Sequence, residues 1–186
     1  YHNLKLYPEA LERYRTALVL NRTLGNDRSA ALNLGNIGMV HFDQGGLDSA
    51  LTCFTEALVL NRKVNNRTAI GQALTNMGRV HTRLRSFSDA TSAFAEALTI
   101  FTQLGDRYRI GWVRMEQGRL LNALGDHPGA ARACEEALRI ADEVHKLKER
   151  YEACTCLAEA YKGSGASLLA MKYMEPDTYK YIAQKL

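Results

Sequence analysis

Apolar residues recur along the chain at the three- and four-residue intervals of a helix that buries one face. Ile70, Leu74, Met77 and Val80 mark the buried side of a helix over 68–83. A short break at Leu84-Arg85-Ser86 follows, and Ala90, Phe94, Ala97, Leu98 and Ile100 mark the next helix from Phe87 onward. Leu104-Gly105-Asp106 ends that helix: glycine suits a left-handed C-terminal position, and the aspartate suits an N-cap. The punctuation returns as Leu24-Gly25-Asn26, Val64-Asn65-Asn66, Gln44-Gly45-Gly46 and Leu124-Gly125-Asp126. The pattern is helix, turn, helix, turn, with a period of 40 residues between Gly38, Gly78, Gly118 and Ala158. Three further registers keep the same step: Ala10 to Ala170, Ala17 to Ala137, and Tyr14-Phe54-Phe94-Cys134-Met174. Self-similarity of this kind predicts stacked helix pairs, each burying its apolar face on its neighbours.

The small residues say where the helices touch. A mid-helix glycine costs about 1 kcal/mol relative to alanine. Gly38, Gly78 and Gly118 are therefore expected where the first helix of a pair crosses the second closely, opposite Ala50, Ala90 and Ala130. Phe54 and Phe94 are expected to fill the space beyond that crossing.

Composition narrows the function class. The net charge of +4, from 24 basic and 20 acidic residues, is too weak for a nucleic-acid stripe. Apolar runs are broken every few residues, so no membrane span is predicted, and no secretory leader pattern is present. Cys53, Cys134, Cys154 and Cys156 show no CxxC spacing and are expected to be reduced core residues, which points to a cytoplasmic protein. The sequons at Asn21 and Asn66 carry no weight without a secretory context. No phosphate loop and no nucleophile–base constellation is readable, so the chain is expected not to be an enzyme and to need no cofactor. His41 and His81 hold equivalent positions, but no carboxylate or cysteine recurs beside them; no metal site is expected.

Leu34 and Gly38, Leu74 and Gly78, and the small-aromatic-small series Ala50, Phe54 and Ala57 resemble the tetratricopeptide repeat, in a 40-residue form. Leu34-Gly35-Asn36 and Leu104 to Arg107 are similar to the Leu-Gly-Asn/Pins polarity adaptors, and units of this length also occur in kinesin light chains. The resemblance implies an all-α, right-handed superhelical solenoid of antiparallel helix pairs forming one array. Its units would be a partial opening repeat over 1–26, repeats over 27–66, 67–106 and 107–146, and an irregular last repeat over 147–186. Tyr1 aligns with His41, His81, Leu121 and Tyr161, so the first repeat is expected to be partial. Pro176 and the Asp177–Leu186 stretch are expected to end the array in a short capping helix.

In this family the first helices of the pairs line a concave groove. Carried over position by position, the resemblance implies peptide contact at Asn36, Met39, Gln72, Asn76, Arg79, Arg83, Trp112, Met115 and Arg119. Leu32, Gly35, Phe42, Thr75, Thr82, Asn122, Thr155, Cys156 and the acidic Asp43, Glu116, Glu152 and Glu159 are further positions on the same helices. Asn36 and Asn76 suit the backbone of an extended peptide, and Arg79, Arg83 and Arg119 suit carboxylates. Trp112 and Met115, with Met39 and Phe42, would supply apolar anchors. The expected function is thus a scaffold or adaptor holding a protein partner, one with acidic residues. Two other readings stay open: a sensor array controlling an attached effector domain, and self-association through the ends. No nucleic-acid or membrane partner is expected.

Overall fold

The computed structural model describes residues 7–174, and within them it is helical throughout. The helices are α1 (Tyr7–Thr23), α2 (Asp27–Asp43), α3 (Leu47–Lys63), α4 (Arg67–Arg83), α5 (Phe87–Gln103), α6 (Arg107–Leu124), α7 (His127–Glu143), α8 (Leu147–Gly163) and α9 (Ser167–Met174). The fold class is all-α, a helical repeat of the solenoid class. The chain divides into two compact units, up to Ile100 and from Phe101, with the division inside α5. The positions of Tyr1, Pro176 and the Asp177–Leu186 cap lie outside the described residues.

The 40-residue period is two steps of 20, because every link is built alike. A 17-residue helix such as α2, α3 or α4 is followed by three residues, and the middle one is left-handed. Positive φ occurs at 25, 45, 65, 85, 105, 125, 145 and 165. The first link shows the chemistry. Gly25 donates its N–H to Arg22 O (3.1 Å) and Asn26 to Asn21 O (2.8 Å), closing the exposed carbonyls of α1 in a Schellman turn. Asn26 then caps α2, its Oδ1 accepting from Ser29 N–H at 3.1 Å. One residue thus closes one helix and opens the next. Asn66, Asp106 and Asp126 do the same for α4, α6 and α7. Three left-handed positions hold side chains: Asn65 (φ 53°), Arg85 (φ 61°) and His145 (φ 53°).

In the first unit the even-numbered helices pack through glycine. A Cβ added at Gly38 would lie 2.7 Å from the Phe54 ring, and one at Gly78 only 2.5 Å from Phe94. Both rings are fully buried, so they have nowhere to move. Arg22–Glu56 and Arg62–Glu96 bridge successive odd helices at 2.6 and 2.8 Å, 40 residues apart in both partners. These pairs are exposed and contribute little beyond register.

The second unit solves the same crossing differently. A Cβ at Gly118 would meet Cys134 Sγ at 2.2 Å and Cys156 Sγ at 2.9 Å. Cys134 stands where the first unit has phenylalanine, and Cys156 of α8 fills the volume that the missing ring leaves. The two form a disulfide, with Cα atoms 6.0 Å apart. This corrects the expectation of four reduced cysteines: the partners are 22 residues apart on different helices, a spacing that carries no sequence signature. The inference to a reducing compartment loses its support. Cys53 and Cys154 are free, and burial pushes both thiols up, away from reactive thiolate.

Two outcomes follow from these contacts. Gly78→Ala should destabilise the first unit by about 1–2 kcal/mol, since overpacking outweighs the gain in helix propensity. Adding Phe94→Leu should restore part of that loss, so a urea-denaturation double-mutant cycle should show favourable coupling; strict additivity would mean the ring does not set the crossing. His145→Gly should raise the urea midpoint by about 1 kcal/mol equivalent, because a non-glycine residue is strained at positive φ. An unchanged or lower midpoint would show that His145 gains as much from its side chain as its backbone loses.

Candidate functional site

Even-numbered helices bury the glycine side against their odd partners and turn the other side outward. In the first unit α2 and α4 lie next to each other, and the expected ligand residues of that unit come from these two helices. Leu32 is 66% exposed and the place of a Cβ on Gly35 is open space. Asn36, Met39, Gln72, Asn76 and Arg79 are half-buried, while Arg83 is exposed. Thr75 is fully buried, with its hydroxyl donating to Gly71 O at 2.8 Å, so it has no surface to offer.

The most organised feature of this face is a pair of guanidinium groups on one ring. Arg79 Cζ lies 4.6 Å and Arg83 Cζ 4.8 Å from the centroid of Phe42. Four residues apart on α4, the two side chains point the same way and reach back to α2. Arg83 Nη1 donates to Phe42 O at 2.9 Å, a carbonyl of the last turn of α2, where a cation also meets the helix dipole favourably. Arg79 Nη1 donates to Asn76 Oδ1 at 3.2 Å and approaches Met39 Sδ at 3.7 Å. Met39 and Phe42 in turn pack on the buried Ala50, Phe54 and Val80. The arginines therefore tie the two helices together as well as placing positive charge on the face. Phe42, expected as an apolar anchor of this face, lies in the last turn of α2 within reach of both guanidinium groups.

The second unit presents a different surface. Arg119 donates to the buried Glu116 at 2.9 Å and lies 3.5 Å from Glu152, which also faces Lys148 at 3.7 Å. Its charge is balanced within the protein, so the expectation of a third arginine ready for a carboxylate does not fit the arrangement. Met115 is only 2% exposed and packs with Ala137 and Ala153. It is a core residue and no surface anchor, because at this register the side chain points between α6, α7 and α8. Cys156, also expected outward, is buried in the disulfide. Trp112 is half-buried against the same cluster and borders a cavity of about 10 Å³, room for roughly one water. The cavity also touches Tyr108 and Glu149, whose hydroxyl–carboxylate bond is 2.7 Å long. Burial first, then that bond and the Glu149 charge, push the Tyr108 phenol up to about 12. It stays protonated at physiological pH and acts as a fixed donor.

No group of three or more potential metal ligands assembles among the described residues. His81 packs with its Nδ1 buried and without a hydrogen bond, 4.0 Å from Asp89. Burial, helped by the charge of Arg15, lowers the His41 pKa and disfavours the protonated ring. Both rings serve as packing groups. No helix among the described residues is long and apolar enough to cross a membrane.

The comparisons agree with this architecture. The family model described as tetratricopeptide repeat matches residues 27–103 and 69–143. No curated protein sequence matches the chain. Among solved structures, the chain is similar to BtubC (BKLC) from P. vanneervenii, with 20% identity and a TM-score of 0.78 over 96% of this chain and 74% of that one. It is also similar to a Podosopora anserina putative kinesin light chain with nearly identical TPR-like repeats, at 14% identity and TM-score 0.72, covering 100% of this chain and 91% of that one. Aspartyl phosphate phosphatase F from Bacillus subtilis matches at 15% identity and TM-score 0.75, over 97% of this chain but only 45% of its own length. At these identities the likenesses speak for the fold. The family rests on the sequence match, which spans well over half the chain together with the glycine–aromatic crossings and fused turns that build it: the protein belongs to the tetratricopeptide repeat family.

Proposed function

We propose that the chain is a non-catalytic scaffold or adaptor that holds a protein partner on the outward face of its even-numbered helices. Repeats of this family are generally protein-interaction scaffolds. The observation that carries the reading to this chain is the α2/α4 face. Leu32, Gly35, Asn36, Met39 and Asn76 leave apolar and amide surface accessible next to two positioned cations. That combination offers burial for an apolar side chain, donors and acceptors for a peptide backbone, and charge for selectivity. The corresponding face of the second unit pairs its charges internally and leaves Trp112 half-buried, which makes it a subsidiary contact.

Affinity capture with the wild-type chain should be compared with a variant carrying Leu32→Glu, Asn36→Ala and Asn76→Ala. A control carries Val19→Ser and Val59→Ser, exposed residues on α1 and α3. Proteins recovered by wild type and control should be lost, by tenfold or more, with the α2/α4 variant, while circular dichroism shows all three folded. Equal recovery by all three would place binding elsewhere.

A further inference from the structure

We infer that the Cys134–Cys156 pair is a two-electron redox switch: closed, it clamps α8, and α9 with it, onto α6 and α7; reduced, it releases that end of the unit. The inference concerns regulation and holds whichever face binds a partner.

Three observations carry it. The first is the place of the pair. Cys134 of α7 and Cys156 of α8 are 0% and 1% exposed. Both sulfurs press on the backbone of α6, where a Cβ at Gly118 would lie 2.2 Å from one and 2.9 Å from the other. Leu157, Leu138 and Tyr161 pack against them from the other sides. A close-packed interior of this kind has no spare volume. Reduction turns one bonded pair into two thiols, and unbonded sulfurs stand further apart than bonded ones. The added space has to come from a helix that moves.

The second observation says which helix. α6 and α7 share another close crossing, since a Cβ at Gly111 would meet Ile140 Cγ2 at 2.8 Å. Beside the disulfide, α8 meets them with the small Ala153 and with polar bridges. Asn122 Nδ2 donates to Cys156 O at 3.3 Å, the Tyr161 hydroxyl to Glu135 at 2.7 Å, and Arg150 Nε to Asp142 at 2.8 Å. Bridges at an exposed surface hold little. The α8 helix is therefore the one that yields. Its Tyr161 ring stacks on Tyr173 of α9 with centroids 5.7 Å apart, so α9 follows.

The third is that both states are provided for. Cys156 Sγ lies 3.9 Å from Met115 O, which gives the freed thiol an acceptor. In the first unit the same crossing is filled by Phe54 or Phe94, fully buried and with no covalent bond. A permanent joint was thus available within this repeat, and the cysteine pair makes the joint conditional.

The chemistry is thiol–disulfide exchange with a dithiol. One thiolate of the reductant attacks a cysteine sulfur, and the other cysteine leaves as thiolate and takes up a proton. The second thiol of the reductant then resolves the mixed disulfide, leaving two cysteine thiols and one oxidised dithiol. A small disulfide such as oxidised glutathione reverses the reaction and departs as two thiols. Because both sulfurs are enclosed, exchange waits for α8 to lift, which makes the switch slow.

Hydrogen exchange followed by mass spectrometry on the whole chain tests this. After complete reduction with dithiothreitol, amides of α8 and α9 should exchange about tenfold faster or more, those of α2 to α4 should not change, and oxidised glutathione should restore the slow rate. Cys134→Phe combined with Cys156→Asn copies the residues of the first unit at these positions. Its α8 and α9 should exchange slowly with or without dithiothreitol. Should that variant not fold, Cys134→Ser replaces it and should exchange at the reduced wild-type rate in both conditions. Wild-type exchange in α8 and α9 that reduction leaves unchanged would overturn the inference. So would a digest of the glutathione-oxidised protein that links Cys53 or Cys154 instead of Cys134 to Cys156, or a dithiothreitol response that persists in either variant. All of these outcomes leave the scaffold reading standing, since none of them touches α2 or α4.

Discussion

Everything in this protein depends on how closely two helices cross at one glycine. At Gly78 the crossing leaves no room for even a methyl group, since a Cβ there would sit 2.5 Å from the Phe94 ring. That closeness seats the Phe94 ring of α5 directly against the backbone of α4. It also fixes which way the rest of α4 points. With the glycine turned to the partner helix, residues two and one positions before it and one and five after it are turned away or to the flank. Asn76, Arg79 and Arg83 are among them. The proposed binding face is thus a consequence of the packing face. The same logic holds at Gly38, where Phe54 is the ring and Asn36 and Met39 are the side chains turned away.

The period itself is made by turn chemistry. Each link does two tasks with three residues: a left-handed residue closes the helix behind, and the residue after it caps the helix ahead. Where glycine or asparagine held the left-handed place, the turn was readable from sequence, as at Gly25, Gly105 and Asn65. At Leu84-Arg85-Ser86 the break was readable, but Arg85, like His145, gave no residue-level sign of its left-handed backbone. Their backbone is imposed by the flanking helices, whose packed glycines and aromatics already set the register. Propensity was overruled there by a tertiary constraint larger than the strain it imposes.

The candidate site was legible in a more limited way. Counting in steps of 40 gives the direction of a Cα–Cβ bond, and it placed Asn36, Asn76, Arg79 and Arg83 on one face of neighbouring helices. It does not give what that bond meets. Arg119 shares its register with Arg79 and Met39, yet Glu116, three residues before it, takes its charge. Met115 shares its register with Thr75 and Gly35; the glycine is open while the threonine and methionine are buried. The difference lies in neighbours far apart in sequence, which a single repeat cannot report. Cys134 and Cys156 failed to show for the same reason: their pairing is a property of three helices around Gly118.

Those failures explain why the two units differ as surfaces although they share one design. Replacing the ring at the crossing by a cysteine leaves a volume deficit of most of a benzene ring, and a close-packed interior does not leave such a space empty. In the second unit the deficit draws in Cys156, from a position whose counterparts in the first unit, Asn36 and Asn76, remain partly exposed. One outward amide position has been turned into core. The same position of α6, Glu116, is likewise withdrawn to 5% exposure, and a buried carboxylate requires a paired cation, which Arg119 supplies. The loss of amide and cationic surface in the second unit therefore traces to how its interior is filled, while the intact Phe54 and Phe94 rings of the first unit keep their asparagines and arginines at the surface.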